Sequence, residues 1–143
     1  MFKKIAVVFD ESPGASHALT SAIALAKTLG SELQTVTVVE PPAAYTGYVS
    51  AAPLLSQVLS EDRVKFYERL QETVQAEGRR HSIAIHANLV TGDEVAAIVA
   101  FLRQEKMDLQ VLELHSYTPR MARLWSTVFG LEQEAPCSVL GIH

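Results

Sequence analysis

The chain of 143 residues contains a single cysteine, Cys137, so no internal disulfide can staple it and stability must come from a packed core. It carries no strong charge of either sign: charged residues make up 20% and the formal net charge is −4. That balance excludes the basic footprint that neutralises nucleic-acid phosphates. No apolar run reaches bilayer length, which argues against a membrane-spanning helix. The opening MFKKIAVVF puts lysines before an apolar stretch, as a secretion signal does. The run is too short, stops at Asp10 and Glu11, and is followed by no small-residue cleavage site, so it reads as a first strand. No internal repeat or linker composition interrupts the chain, so residues 1–143 read as one domain. These absences together point to a cytoplasmic protein with neither nucleic acid nor membrane among its partners.

What is present is alternation. With 48% hydrophobic residues the chain can build a real core, and apolar strands take turns with helical patterns, the mark of a parallel sheet with helical crossovers. Residues 3–9 form a continuous β-rich apolar run, as a strand buried on both faces requires. Ser12 and Pro13 then read as an N-cap and a first helical residue. Leu19, Ala22, Ile23 and Ala26 mark one helical face, and Gly30 stands where a C-cap belongs. A second strand spans residues 33–39, and an aperiodic loop runs from 40 to 53. A helix over 55–77 follows, with Phe66, Leu70 and Val74 on one face and Gly78 closing it. Ile83, Ile85, Ala87 and Leu89 alternate with more polar neighbours, which suits a half-exposed strand at a sheet edge. Val95, Ile98, Val99 and Leu102 mark a third helix, residues 109–114 a fourth strand, part of 120–134 a fourth helix, and 139–142 a last strand. Cys137, beside Pro136, reads as a small buried hydrophobe.

Several of these segments, in this order and spacing, resemble the universal stress protein family. They are IAVVFDES at residues 5–12, ALTSAIALAKTLGSEL at 18–33, VVEP at 38–41, Gly92 before the third helix, Asp108-Leu109 opening the fourth strand, and Ala135-Pro136-Cys137 before the last. The resemblance implies an open five-stranded parallel sheet in the order 3-2-1-4-5 with helices on both faces, a Rossmann-like fold of the adenine nucleotide alpha hydrolase type. It also implies pairing into homodimers through the fifth strand, here Val139, Leu140, Gly141 and Ile142. That strand carries no charge, proline or bulge to blunt an open edge, and Gly141 suggests close approach by another group. The sequence departs from the family pattern in several places, among them a segment from Thr127 to Ala135 one residue shorter than usual. Glu11 stands where glycine is usual, no proline follows Gly92, and the phosphate loop Gly-x2-Gly-x9-Gly-Ser/Thr falls on Glu113, Ser116 and Ser126-Thr127.

In an open α/β sheet ligands bind beyond the strand carboxyl ends where strand order reverses, here between strands one and four. Asp10, Glu11 and Ser12 arrive there from the first strand, and Glu113, His115 and Ser116 from the fourth. By the resemblance, Asp10 would lie near a nucleoside and the backbone around Val39 near its base. The phosphate end is the obstacle. Glycines let amides converge on an anion, whereas Glu113 adds a negative charge. At about 5 Å and an effective dielectric near 20, two unit charges repel by roughly 3 kcal/mol, about two orders of magnitude in affinity. Arg120 and Arg123 could offset part of this, although a helix start explains them as solvated charges. The residues of the aperiodic loop at 41–52, with Tyr45 and Tyr48, could cover the mouth or simply pack on the helix that follows.

Other chemistries lack their residues. The acidic mouth of Asp10, Glu11, Glu40 and Glu113, with His115, could hold a divalent cation, but acids at strand ends and helix starts need no metal to explain them. His17, His81, His86 and His143 have no ligand spacing. A haloacid-dehalogenase reading fails at Ser12, where a second Asp is needed, and a response-regulator reading fails at Asn88. No G-x-S-x-G elbow is present. The expectation is therefore a non-catalytic stress-response protein acting as a homodimer, with a degenerate pocket and no cofactor. The alternative is a module that still takes an adenine nucleotide, ATP, ADP or AMP, favouring fewer phosphates, through Asp10, Val39 and Ser126-Thr127. A nucleotide hydrolase is the last reading.

Overall fold

The computed structural model describes residues 1–10, 12, 14–39, 61–114 and 121–143, the backbone alone over 121–127. Its elements run β1 (Lys4–Val8), α1 (Ala15–Leu29), β2 (Glu32–Val39), α2 (Glu61–Arg80), β3 (Ile85–Thr91), α3 (Glu94–Gln104), β4 (Leu109–Glu113), α4 (Met121–Glu134) and β5 (Ser138–Ile142). All strand pairs are parallel, in one five-stranded sheet of order β3-β2-β1-β4-β5. None of the described helices is long and apolar enough to cross a membrane.

Strand β1 is unbroken by polar residues because it is covered twice. Ile5, Val7 and Phe9 pack with Leu33, Leu109, Val111, the α1 stripe Ala15, Ala18, Leu19, Ala22, Ile23 and Ala26, and Val74 of α2. Ala6 points the other way, into a cluster of Val36, Leu112, Ile98, Val99, Phe101, Leu102 and Leu131. The four alanines of the α1 stripe let that helix lie close on the sheet. The start of the sheet is clamped by Asp108, whose Oδ2 accepts the amides of both Lys3 and Lys4 at 2.9 Å.

Helix ends differ from the sequence reading in two places. Ser12 does not cap α1: the N-cap is Gly14, in helical geometry and without a side-chain cap bond. The Ser12 amide donates instead to Asp10 Oδ1 at 2.8 Å. This Asx turn competes with the helix for local donors and postpones its start. Pro13 lies outside the described residues. Gly78 does not close α2 either, because the helix continues to Arg80. A Cβ at Gly78 would lie 2.7 Å from the Ile83 carbonyl oxygen and 3.2 Å from Ile85 Cγ1, so the glycine serves close approach of helix and strand. Gly30 does cap α1, at φ 67 and ψ 34.

Strand β3 is an edge, as its alternation implies, but it begins at Ile85 because the Ile83 amide donates to Gly78 in the preceding turn at 2.9 Å. Its free side is not bare. Gln75 Nε2 donates to the Ile85 carbonyl at 3.0 Å and Gln71 Nε2 to the Ala87 carbonyl at 3.3 Å. Four helical residues rise about 6 Å and two strand residues about 6.6 Å, so the two ladders match in step. Helix α2 thus covers the edge that its own sequence leads into.

Because Gly78 is a contact rather than a terminus, Gly78→Ala must push the helix off β3 and is expected to cost about 1–3 kcal/mol. Urea denaturation measures it; a variant as stable as the native chain would show that this approach is loose.

Candidate ligand crevice at the strand ends

Strands β1 and β4 lie side by side with Ile5, Ala6 and Val7 opposite Leu109, Gln110 and Val111. Connections leave them in opposite directions across the sheet, so their carboxyl ends flank the crevice. On the β1 side the chain is held to its neighbour: the Phe9 amide donates to Val36 at 3.0 Å, and the buried Thr37 hydroxyl donates to the Phe9 carbonyl at 2.7 Å. Asp10 follows, partly exposed, with one carboxylate oxygen engaged in the Asx turn.

On the β4 side, Glu113 shares the face of Leu109 and Val111, which is the face covered by α1. Its side chain is accordingly buried, with 6% of its surface exposed. The carboxyl group lies across the first residue of α1. A Cβ on Gly14 would run into Glu113 Cγ and Cδ and would lie 2.5 Å from Oε1. That oxygen has no hydrogen-bond partner among the described residues. Helix α1 has no acidic residue in its first turn, so Glu113 supplies the negative charge that a helix N-terminus favours. A charge so placed stabilises by about 0.3–1 kcal/mol, rising to about 2 when partly buried. An unmade bond on a buried polar atom costs about 1–3 kcal/mol. The cost exceeds the gain over most of these ranges and is larger for a charged group, so the carboxylate is held mainly by packing.

Val39 is fully buried beneath α2, where it packs with Tyr67, Val64, Phe66, Leu70 and Leu89. Arg63 lies over both aromatic rings, 5.1 Å from the centroid of Phe66 and 5.2 Å from that of Tyr67, and donates to the Tyr67 hydroxyl at 2.9 Å. The Val39 side chain therefore cannot face a base, and only its backbone lies at the strand end. Ser126 and Thr127 fall inside α4, beyond its first four residues; amides that deep are bonded within a helix and cannot cradle a phosphate. Glu11, Glu40, His115, Ser116, Arg120 and residues 41–52, including Tyr45 and Tyr48, lie outside the described residues, as do the side chains of Arg123, Ser126 and Thr127.

Asp93 has an ordinary role, capping α3 by accepting the Ala96 amide at 3.2 Å. Among the described residues no group of three or more His, Cys, Asp or Glu could hold a metal ion. Sequence reasoning missed Gly14. Its only signal was a glycine at a helix start, where a side-chain cap is commoner.

The last strand is partly exposed along its length, Leu140 most among its apolar residues. Val139 and Ile142 are partly buried on opposite faces of the sheet. The close approach expected at Gly141 comes from the same chain: a Cβ there would run into Leu114 Cγ and Cδ1.

The sequence model of the universal stress protein family matches residues 1–143. Among solved structures, the universal stress protein UspA from Lactobacillus plantarum superposes with a TM-score of 0.80 at 24% identity, covering 99% of this chain and 98% of that one. A universal stress protein family member from Burkholderia pseudomallei gives 0.73 at 26% identity, covering 99% and 96%. A universal stress protein in complex with cAMP gives 0.71 at 19%, covering 99% and 97%. No curated protein is similar enough to match. The chain belongs to the universal stress protein family.

Cys137, which leads into β5, offers no ready nucleophile. Burial, with the Asp108 carboxylate adding to it, raises its thiol above the usual value. Iodoacetamide is expected to modify the native chain more slowly than the urea-unfolded one at pH 8, with its half-rise at higher pH. Equal rates would contradict the burial argument. The same shift costs nothing while the thiol is protonated and lowers stability as pH rises from the unfolded thiol's pKa through the folded one.

Proposed function

We propose that this chain is a non-catalytic stress-response protein that works as a homodimer, with a nucleotide crevice too degenerate to bind ATP tightly. The observation that carries the reading is Glu113. Its carboxylate fills the space over Gly14 at the reversal of strand order, and its charge opposes the phosphates that would approach there. Helices α2 and α3 also begin with acids, Glu61, Asp62 and Glu94, of which Glu61 is paired with Lys65 at 3.1 Å. Calorimetry with ATP on the native chain and on Glu113→Gly, Ser116→Gly, Ser126→Gly tests it. Little or no native binding with a gain in the variant is expected; native binding at micromolar strength or tighter through this loop would sink the reading. The alternative, an adenine nucleotide with fewer phosphates, is favoured by the cAMP complex of one similar protein.

The dimer reading rests on a difference between the two sheet edges. The glutamines of α2 donate to the outer carbonyls of β3, whereas among the described residues no side chain does so for β5. An unpaired edge with a partly exposed apolar residue is a template for a second strand. With Leu114 over Gly141 on one face, pairing would proceed edge to edge, through the Val139–Ile142 backbone and Leu140. Sedimentation equilibrium at micromolar concentration is expected to give a dimer that Leu140→Asp or Ile142→Pro dissociates. A native monomer, or a dimer indifferent to both changes, would move the interface elsewhere.

A further inference from the structure

We infer that the Glu113 carboxylate is the resident anion of the α1 N-terminus, and that an external oxyanion of the phosphate-monoester class reaches that terminus only by displacing it. The inference rests on the degenerate-crevice reading and names what occupies the crevice. Three observations carry it. The carboxyl group lies against the N-cap residue, with Oε1 2.5 Å from where a Cβ of Gly14 would be. The side chain is more than nine-tenths buried, yet Oε1 has no partner among the described residues. Helix α1, 15 residues long, has neither an acid in its first turn nor a side-chain cap of its own. The Ala15 amide is given to the Ser12 carbonyl at 3.1 Å, so what attracts an anion here is the positive end of the helix dipole, and the chain provides one from a strand far away in sequence.

Gly14 is what admits this arrangement. Any side chain at residue 14 would compete for the volume that Glu113 fills, so the glycine and the carboxylate form a matched pair. No hydrogen bond among the described residues fixes Oε1, so the seat can be vacated by rotating a flexible side chain without remodelling the backbone.

The test uses the full chain and inorganic phosphate, read by thermal shift against chloride at equal ionic strength and by calorimetry. The native chain is expected to respond weakly. Glu113→Ala, which empties the seat, should raise phosphate affinity at least about tenfold, as expected when a near unit charge is removed. Glu113→Gln keeps the volume without the charge and should gain less than the alanine variant. Equal gains would overturn the claim of occupancy and leave repulsion alone; no gain in either would overturn it altogether. Stability supplies an independent arm. Gly14→Ala should lower Tm by about 2–4 °C in the native background, the scale of a 1 kcal/mol change for a chain of this size, and by less in the Glu113→Ala background. Equal losses in both would show that the residues are not paired. A native chain that binds ATP poorly while neither variant gains phosphate would sink the resident-anion inference and leave the degenerate-crevice reading standing.

Discussion

The pairing of β1 with β2 on one side and β4 on the other places everything else. Once Lys4–Val8 is central, its residues are buried on both faces, and the crossovers from β1 to β2 and from β3 to β4 run in opposite directions across the sheet. The reversal of order falls at its carboxyl end. The helices that begin near that end bring their N-terminal dipoles and their acids with them, while Lys27, Arg79, Arg80 and Arg103 gather in the last turns of α1, α2 and α3. The charge asymmetry of the molecule is thus a consequence of its topology and of ordinary dipole complementation.

In that setting one substitution has a large effect. A glycine at the end of β4 would leave the space beside Gly14 empty, while Glu113 fills it with a carboxyl group. The helix N-terminus favours the charge by less than the unmade hydrogen bond costs. Packing around Glu113 therefore makes up the difference. The two sheet edges also differ, with Gln71 and Gln75 covering β3 while among the described residues no side chain covers β5.

The edge strand could be read from the residues because burial writes a period into a strand, continuous apolar residues in β1 and alternation in β3, whereas the strand order followed from the family resemblance. Helix termini were less legible. Ser12 has the chemistry of an N-cap, but Asp10 two residues earlier takes its amide, and Gly78 looks like a C-cap while serving the Ile83 turn. The resemblance singled out Glu113, but its contact with Gly14 joins two distant segments and no local pattern announces it. At Val39 the sequence pointed to the backbone, and the side chain is packed away under Tyr67 and its neighbours.

The most direct test of the account is the nucleotide content of the protein as purified. Denaturing the freshly isolated chain and resolving the supernatant by ion-exchange chromatography reports any adenine nucleotide held through purification. With the start of α1 already occupied by Glu113, the account expects far less than one equivalent. An adenine triphosphate recovered near one per chain would contradict it.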